Sequence, residues 1–208
     1  MHIQLFTGDA IQPYIRNLAG LRIEIFKEYP YLYNGDFDYE QVYLYSYIHA
    51  KHAAVVLAFD GKDVIGASTC IALEESDTFI QFPFIAKGYD ISKGIYFEES
   101  VLKKQYRNQG IGVRFFEERE KWAANYFNKK NIYEGRFTTF CGINRPDDHP
   151  LRPKDYKALD EFWKHRHYQK QPNLQTQIAW KEVGKEEEEF HTLTFWTREW
   201  KNVNVEEQ

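Results

Sequence analysis

Hydrophobic and polar positions follow two different periods along the chain, and each change of period marks a new predicted element. Alternation or short apolar runs predict strands at residues 2–6, 53–59, 63–73, 94–102, 132–141, 174–183 and 192–200. Helical spacing predicts helices at residues 11–26, 39–50, 111–127 and 156–165, and Asp38 is the expected N-cap of the second. Residues 74–93 are predicted to be irregular.

The order of these elements predicts the fold class. Asp60-Gly61, between the second and third strands, is typical of a tight β-hairpin turn, so the early strands are expected to pair antiparallel. A strand–helix–strand crossover over residues 94–141 then favours one parallel pair. The sequence therefore predicts a single α/β domain over residues 1–208, with a mixed, mostly antiparallel twisted sheet of about seven strands flanked by about four helices.

The composition narrows the classes of function. A formal net charge of -4 argues against a nucleic-acid partner, which normally requires a basic surface. No apolar run approaches the length of a membrane span and the first residues do not resemble a signal peptide, so we expect no membrane contact and a cytoplasmic location. Cys70 and Cys141 lie in predicted strands, and we expect both to be buried thiols.

The stretch "QYRNQGIGVRFF" places two glycines where a predicted strand gives way to a predicted helix. Backbone amides at a helix start lack partners within the helix, and the helix dipole adds positive potential, so this junction is suited to an anionic phosphate. Gly110 and Gly112 would let the phosphate approach, and Arg107 and Arg114 would add charge at the rim. The alternative is that the glycines only allow the helix to pack closely on the sheet.

The run Arg107-Asn108-Gln109-Gly110-Ile111-Gly112 resembles the Gln/Arg-x-x-Gly-x-Gly/Ala signature of the GNAT acyltransferase superfamily, and the order of elements is similar to that family's. The resemblance implies that these six residues bind the pyrophosphate of acetyl-CoA as cosubstrate. It also implies a sheet splayed between strands four and five, with the pantetheine between residues 94–102 and 132–141. The backbone of Ser100, Val101 and Leu102 would then bind the pantetheine and the acyl carbonyl.

Acyl transfer to an amine requires a base that removes a proton from the amine. Glu98 and Glu99 lie on the strand where the resembled family often places a glutamate. Because they are adjacent in a strand, they are predicted to face opposite sides of the sheet, and at most one would face the acceptor. The parity of the family's positions favours Glu98, and either carboxylate could instead be a surface group.

The resembled family commonly supplies an acid from a tyrosine in the helix after strand five. In "ALDEFWKHRHY", Trp163 stands at that position, and an indole N–H does not give up its proton. Tyr168 or Tyr156 could substitute, as could His165 or His167, or the thiolate could leave without help. The two histidines would point in different directions from one helix, so we expect no metal site.

Residues outside the motif suggest where the amine and the cosubstrate are recognised. Tyr33, Asp36 and Tyr39, between the first two helices, could receive a cationic amine by charge and cation–π contact. Turn and capping roles are the alternative for the acids in this stretch. In the proline-rich loop at residues 144–153, Asn144 is a candidate for contact with CoA or the acceptor.

These observations predict an N-acetyltransferase that moves an acetyl group from acetyl-CoA to a primary amine of a small molecule, by direct attack on the thioester. Two alternatives remain open: a catalytically weak module that binds or senses acyl-CoA, and an acetyltransferase that acts on protein amines. A homodimer is possible through Trp180, Trp196 and Trp200, although alternating aromatic residues in late strands are also typical of a core.

Overall fold

A mixed sheet with helices on both faces forms the body of the protein in the computed structural model, which describes residues 1–201. The strands of this part are β1 (His2–Phe6), β2 (Ala53–Asp60), β3 (Asp63–Ala72), β4 (Gly94–Tyr96), β5 (Ser100–Leu102), β6 (Phe137–Ile143), β7 (Gln169–Lys181) and β8 (Glu188–Glu199). The α-helices are α1 (Ile15–Phe26), α2 (Phe37–His49), α3 (Thr78–Ala86), α4 (Ile111–Lys129) and α5 (Asp160–His165). The predicted fold class is confirmed; residues 202–208 of the predicted domain lie outside the described residues.

The strands run in the order β1-β2-β3-β4-β6-β8-β7, and β5 pairs with β3 beyond the end of β4. The pair β4–β6 is parallel, and the other pairs are antiparallel. Strand β2, next to the edge strand β1, is buried on both faces: Val55 and Leu57 pack towards α1 and α2, whereas Val56 and Ala58 pack towards the start of α4. We call these the α1/α2 face and the α4 face. No helix in residues 1–201 is long and apolar enough to cross a membrane.

Helices α1 and α2 do not begin at the residues that the hydrophobic periodicity predicted. The segment predicted as one helix at residues 11–26 starts as a 3-10 turn that contains Pro13, and α1 begins only at Ile15. The N-cap of α2 is Asp36, whose carboxylate accepts from the Tyr39 amide at 2.9 Å, so the prediction of Asp38 was wrong.

Helix α3 lies in a segment that was predicted to be irregular, and it contains Pro83. A proline inside a helix cannot donate to the carbonyl four residues earlier, here that of Phe79. The hydroxyl of Thr176 on β7 donates to that carbonyl at 2.6 Å. A tertiary contact therefore supplies the hydrogen bond that the local sequence lacks.

The strand predicted at residues 94–102 follows β3 throughout but carries one extra residue. Tyr96 lies opposite Ile71, and Ser100 lies opposite Ser68, so four steps on one strand match three on the other. This mismatch is a β-bulge between β4 and β5.

The late tryptophans belong to the core. Trp196 is 1% exposed and Trp180 is 8% exposed, so neither is available for the dimer surface that we considered from the sequence. Cys70 and Cys141 are free and buried, as predicted.

Candidate functional site

A gap opens in the sheet where β4 gives way to β5. The last hydrogen bond between these strands and β6 runs from the Phe97 amide to the Thr139 carbonyl at 2.7 Å. Beyond the bulge, β5 pairs only with β3 within the described part of the chain, so the predicted splay is present.

Two backbone amides of β5 point into this gap and are not paired with β3. The Glu99 carbonyl accepts from the Thr69 amide at 3.1 Å, and the Lys103 amide also donates to β3, at 3.0 Å. Hydrogen-bonding direction alternates along an antiparallel strand, so the amides of Ser100 and Leu102 point away from β3 and into the gap. The family resemblance assigned the backbone of Ser100, Val101 and Leu102 to the pantetheine and the acyl carbonyl. By the same alternation, the backbone groups of Val101 face Ala67 of β3 and not the gap.

The start of α4 presents free amides, as predicted. Gly110 is the N-cap with a left-handed φ of 79°, no side chain caps the helix, and Asn108 is also left-handed with a φ of 61°. A Cβ at Gly112 would contact only Phe162, at 3.7 Å, so this glycine is not required by close packing of the helix on the sheet. Ile111 is buried in the core and can offer only its backbone.

Arg107 holds the loop before α4 in place, and its charge does not stand free at the rim of that loop. Its guanidinium forms two hydrogen bonds of 2.8 Å with the Glu28 carboxylate and donates to the Leu102 carbonyl at 3.0 Å. The side chain of Gln109 also bonds within the loop, to the Gln105 carbonyl at 3.0 Å. The charge expected at the rim from Arg107 is therefore already paired.

The β-bulge brings Glu98 and Glu99 to the same face of the sheet, which corrects the prediction of opposite faces. An extra residue in a strand reverses the alternation of the side chains that follow it. Both carboxylates consequently lie on the α1/α2 face: Tyr43 of α2 donates its hydroxyl to Glu98, and Arg22 of α1 pairs with Glu99.

Burial raises the pKa of Glu98 to about 7, against an opposing contribution from the positive charge of Arg22. A carboxylate with a pKa near neutrality suits a general base, because it accepts a proton readily and is still ionised in much of the population. Glu99 differs because its side chain is 2% exposed and its charge is balanced by Arg22.

Arg22 links two buried carboxylates and was not identified from the sequence. It pairs with Glu40, which is fully buried, and with Glu99. Its guanidinium also lies 4.6 Å from the ring centroid of Tyr43. The only available signal was an arginine inside the apolar face of the first predicted helix.

A cavity of about 550 Å³ opens next to Glu98 on the α1/α2 face. It follows the second half of α2, the end of β3 and the start of α3. Its lining includes the aromatic residues Tyr43, Tyr47 and Tyr96, the acidic residues Glu75, Asp77 and Glu98, and the basic residues His49 and Lys51. The aromatic and acidic part of this lining suits a cationic amine, through cation–π and charge contacts.

The predicted substrate residues do not line this cavity: Tyr33 precedes α2, and Asp36 and Tyr39 lie at its start. Asp36 is occupied as the helix cap, and Tyr39 is 61% exposed. Burial raises the pKa of Tyr33, and nearby Glu40 adds to the effect. Asn144 follows β6, where its side-chain oxygen accepts from Thr194 at 3.0 Å.

Tyr168 lies in the core beneath the α4 face and not at the gap. Its ring is 1% exposed, and its hydroxyl is 2.8 Å from that of Thr138. Trp163, at the position where the family has its tyrosine, packs so closely on β6 that a Cβ at Gly142 would lie 3.0 Å from its ring. Neither Tyr168 nor Trp163 is therefore placed to donate a proton at the gap.

No family model and no curated protein matches this sequence. Solved structures do match. A ribosomal-protein-alanine N-acetyltransferase from Brucella melitensis is 9% identical with a TM-score of 0.58, and the match covers 95% of this chain and 99% of that protein. A GNAT-family acetyltransferase from Streptococcus pneumoniae is 13% identical with a TM-score of 0.55, and the match covers 95% of this chain and 99% of that protein. A PaiA N-acetyltransferase from Thermoplasma acidophilum, in complex with coenzyme A, is 12% identical with a TM-score of 0.54, and the match covers 96% of this chain and 100% of that protein. The chain therefore has the fold of the GNAT acetyltransferases.

Proposed function

We propose that the protein is an N-acetyltransferase that moves an acetyl group from acetyl-CoA to a primary amine by direct attack on the thioester. One observation carries the proposal: the sheet opens beside β5, with the uncapped start of α4 on one face and the cavity that Glu98 lines on the other. The likeness to GNAT acetyltransferases, one of them with bound coenzyme A, supports this assignment.

On the donor side, the amides of residues 108–112 would bind the pyrophosphate, as free amides at a helix start do for phosphates. The outward backbone groups of β5 would bind the pantetheine. The Ser100 amide would donate to the acyl oxygen, which gains negative charge during transfer.

On the acceptor side, Glu98 would remove a proton from the amine, directly or through a water molecule. Its pKa of about 7, raised by burial, suits this step at neutral pH. Burial also raises the pKa of Cys141 to about 12, so this thiol stays protonated and is a poor nucleophile. That chemistry favours direct attack over an acyl-enzyme.

A second candidate function is an acyl-CoA-binding module without efficient turnover. It is favoured by the burial of Tyr168 and by Trp163 at the family's acid position. Calorimetric titration with acetyl-CoA, followed by a thiol-release assay with a panel of primary amines, separates the two. Binding with thiol release supports the enzyme, binding without release on any amine supports the module, and absence of binding contradicts both.

Replacing Gly112 with tryptophan is expected to weaken CoA binding at least about 50-fold, because the indole would fill the space in front of the α4 amides. Calorimetry with CoA measures the affinity, and circular dichroism checks the fold. Gly112→Ala is the matched control: its methyl group would meet only Phe162, at ordinary contact distance, so affinity should be nearly unchanged. Equal affinity of the tryptophan variant and the native protein would contradict the placement of the pyrophosphate.

Replacing Asp77 with asparagine is expected to raise KM for a cationic acceptor about fivefold, as for the loss of one partly screened charge pair. Asp77 lines the cavity and caps α3 without a side-chain hydrogen bond, so its carboxylate is free for a ligand. Asp9→Asn, an exposed position outside the cavity lining, is the control for net charge. If both variants change KM equally, the cavity is not the acceptor site.

A further inference from the structure

Arg119 is a buried cation whose hydrogen-bond partners are backbone carbonyls. It lies on α4 and is 2% exposed, with its guanidinium 4.4 Å from the ring centroid of Phe97 and 4.7 Å from that of Phe116. It donates to the carbonyls of Phe115, Thr69 and Glu99 at 3.2, 3.5 and 3.3 Å. Within residues 1–201 it forms no ion pair with a carboxylate. Burying such a charge is costly, so its position calls for an explanation beyond packing.

Three donors converge on the carbonyl that Arg119 reaches in the bulge. The Glu99 oxygen accepts from the Thr69 amide at 3.1 Å, from the Ser68 hydroxyl at 3.1 Å and from Arg119 at 3.3 Å. One donor is a full charge in a site shielded from water, where its field is little screened. The peptide group between Glu99 and Ser100 is therefore polarised more than an ordinary strand peptide.

The other end of that peptide group is the Ser100 amide. A trans peptide is planar, so its N–H points opposite to its carbonyl, here away from β3 and into the gap. Hydrogen bonds in series strengthen one another, and a donor on the carbonyl makes the amide of the same peptide a better donor. Arg119 therefore strengthens the Ser100 amide as a hydrogen-bond donor in the gap, although its own side chain does not extend into the gap.

We infer that Arg119 is a positioning residue for acyl transfer: through the Glu99 carbonyl it fixes and polarises the Ser100 amide, which then binds the developing charge on the acyl oxygen more strongly. This inference rests on the proposed function. The hydrogen bond from the Ser100 amide is strongest when the acyl oxygen carries the most negative charge, which is in the transition state. Loss of Arg119 should therefore lower kcat more than it weakens binding of the thioester. An arginine that only fastened α4 to the sheet would alter stability without this selectivity.

The test compares Arg119→Met, Arg119→Lys and Ser68→Ala in steady-state kinetics with acetyl-CoA. Removing a direct oxyanion donor typically costs about 10²–10³-fold, so an indirect effect of about 10- to 30-fold on kcat is expected for methionine. KM for acetyl-CoA should stay within about twofold, and lysine, which keeps the charge, should recover much of the loss. Ser68→Ala, which removes a neutral donor from the same carbonyl, should cost less than about threefold. A methionine variant that loses no more kcat than Ser68→Ala overturns the inference.

A second measurement serves if the methionine variant does not fold. The probe is the ketone analogue of acetyl-CoA in which a methylene replaces the sulfur, labelled with ¹³C at its carbonyl. A stronger hydrogen bond lowers the carbonyl stretching frequency, so the neutral variant Arg119→Gln should raise the frequency of the bound ketone relative to the native protein, and Arg119→Lys, which keeps the charge, should raise it less. Equal frequencies in the native protein and the glutamine variant overturn the inference. A native protein that binds no acetyl-CoA fails the proposed function itself, a result distinct from either of these.

Discussion

Replacing Arg22 with methionine is expected to lower the free energy of unfolding by about 3–5 kcal/mol, the usual cost of removing one partner from a buried ion pair. Arg22 balances Glu40, which is fully buried, and Glu99, which is 6% exposed. Without the guanidinium, both carboxylates stay away from water with no cation beside them. Methionine keeps much of the side-chain volume, so the lost free energy of unfolding comes mainly from the missing charge and not from a cavity.

Urea unfolding at pH 7 measures this loss, and two variants control it. Lys121→Met removes one partner of an exposed ion pair with Glu118 and should cost at most about 1 kcal/mol. The triple variant Arg22→Met, Glu40→Gln, Glu99→Gln removes the charges together and should recover most of the stability. If Arg22→Met costs no more than Lys121→Met, the three side chains do not form a buried charge network.

The sequence was sufficient for the elements whose signal is local. The β2–β3 hairpin follows from Gly61, although the two-residue loop is Gly61-Lys62 because Asp60 still pairs with Asp63, and α4 follows from a strong amphipathic period that begins beside two glycines. Helix α3 was missed because the hydroxyl that satisfies the carbonyl left free by Pro83 comes from Thr176, far along the chain. The sequence around Pro83 gives no indication that the Thr176 hydroxyl supplies this hydrogen bond.

The site was predicted less completely than the fold, for two physical reasons. The bulge that places Glu98 and Glu99 on one face depends on register against β3, which the strand's own sequence does not encode. The Arg22 network joins residues that are distant in sequence, so it can be recognised only after the helices pack. By contrast, the glycine motif needs only its own backbone geometry, and its left-handed Gly110 and open Gly112 lie where the sequence indicated.

Replacing Glu98 with glutamine is expected to lower kcat at pH 8 by about 100-fold or more, within the usual contribution of a general base. Glutamine keeps the size of the side chain and an oxygen that can accept from Tyr43, so the change removes mainly proton affinity. Thiol release with acetyl-CoA and a primary amine measures the rate. Glu99→Gln is the matched control on the same bulge, and it should reduce stability more than it reduces kcat.

The pH profile should identify the base independently of the size of the loss. In the native protein the rate should rise with pH and level off above about 7, as Glu98 loses its proton. The Glu98→Gln variant should lack this limb, whereas Glu99→Gln should retain it. A glutamine variant with the native pH profile would show that another group removes the proton.

Stability gives a third measurement that needs no activity. The folded protein holds the Glu98 proton up to a pH of about 7, whereas the unfolded chain releases it near the ordinary glutamate pKa of 4.5. Across that window the folded state binds more protons, so the contribution of Glu98 to stability falls as pH rises. The Tm of Glu98→Gln minus that of the native protein should therefore increase from pH 5 to pH 8. A difference that is constant with pH would mean that the fold does not raise the pKa of Glu98, and the carboxylate would then lose the property that suits it to act as the base.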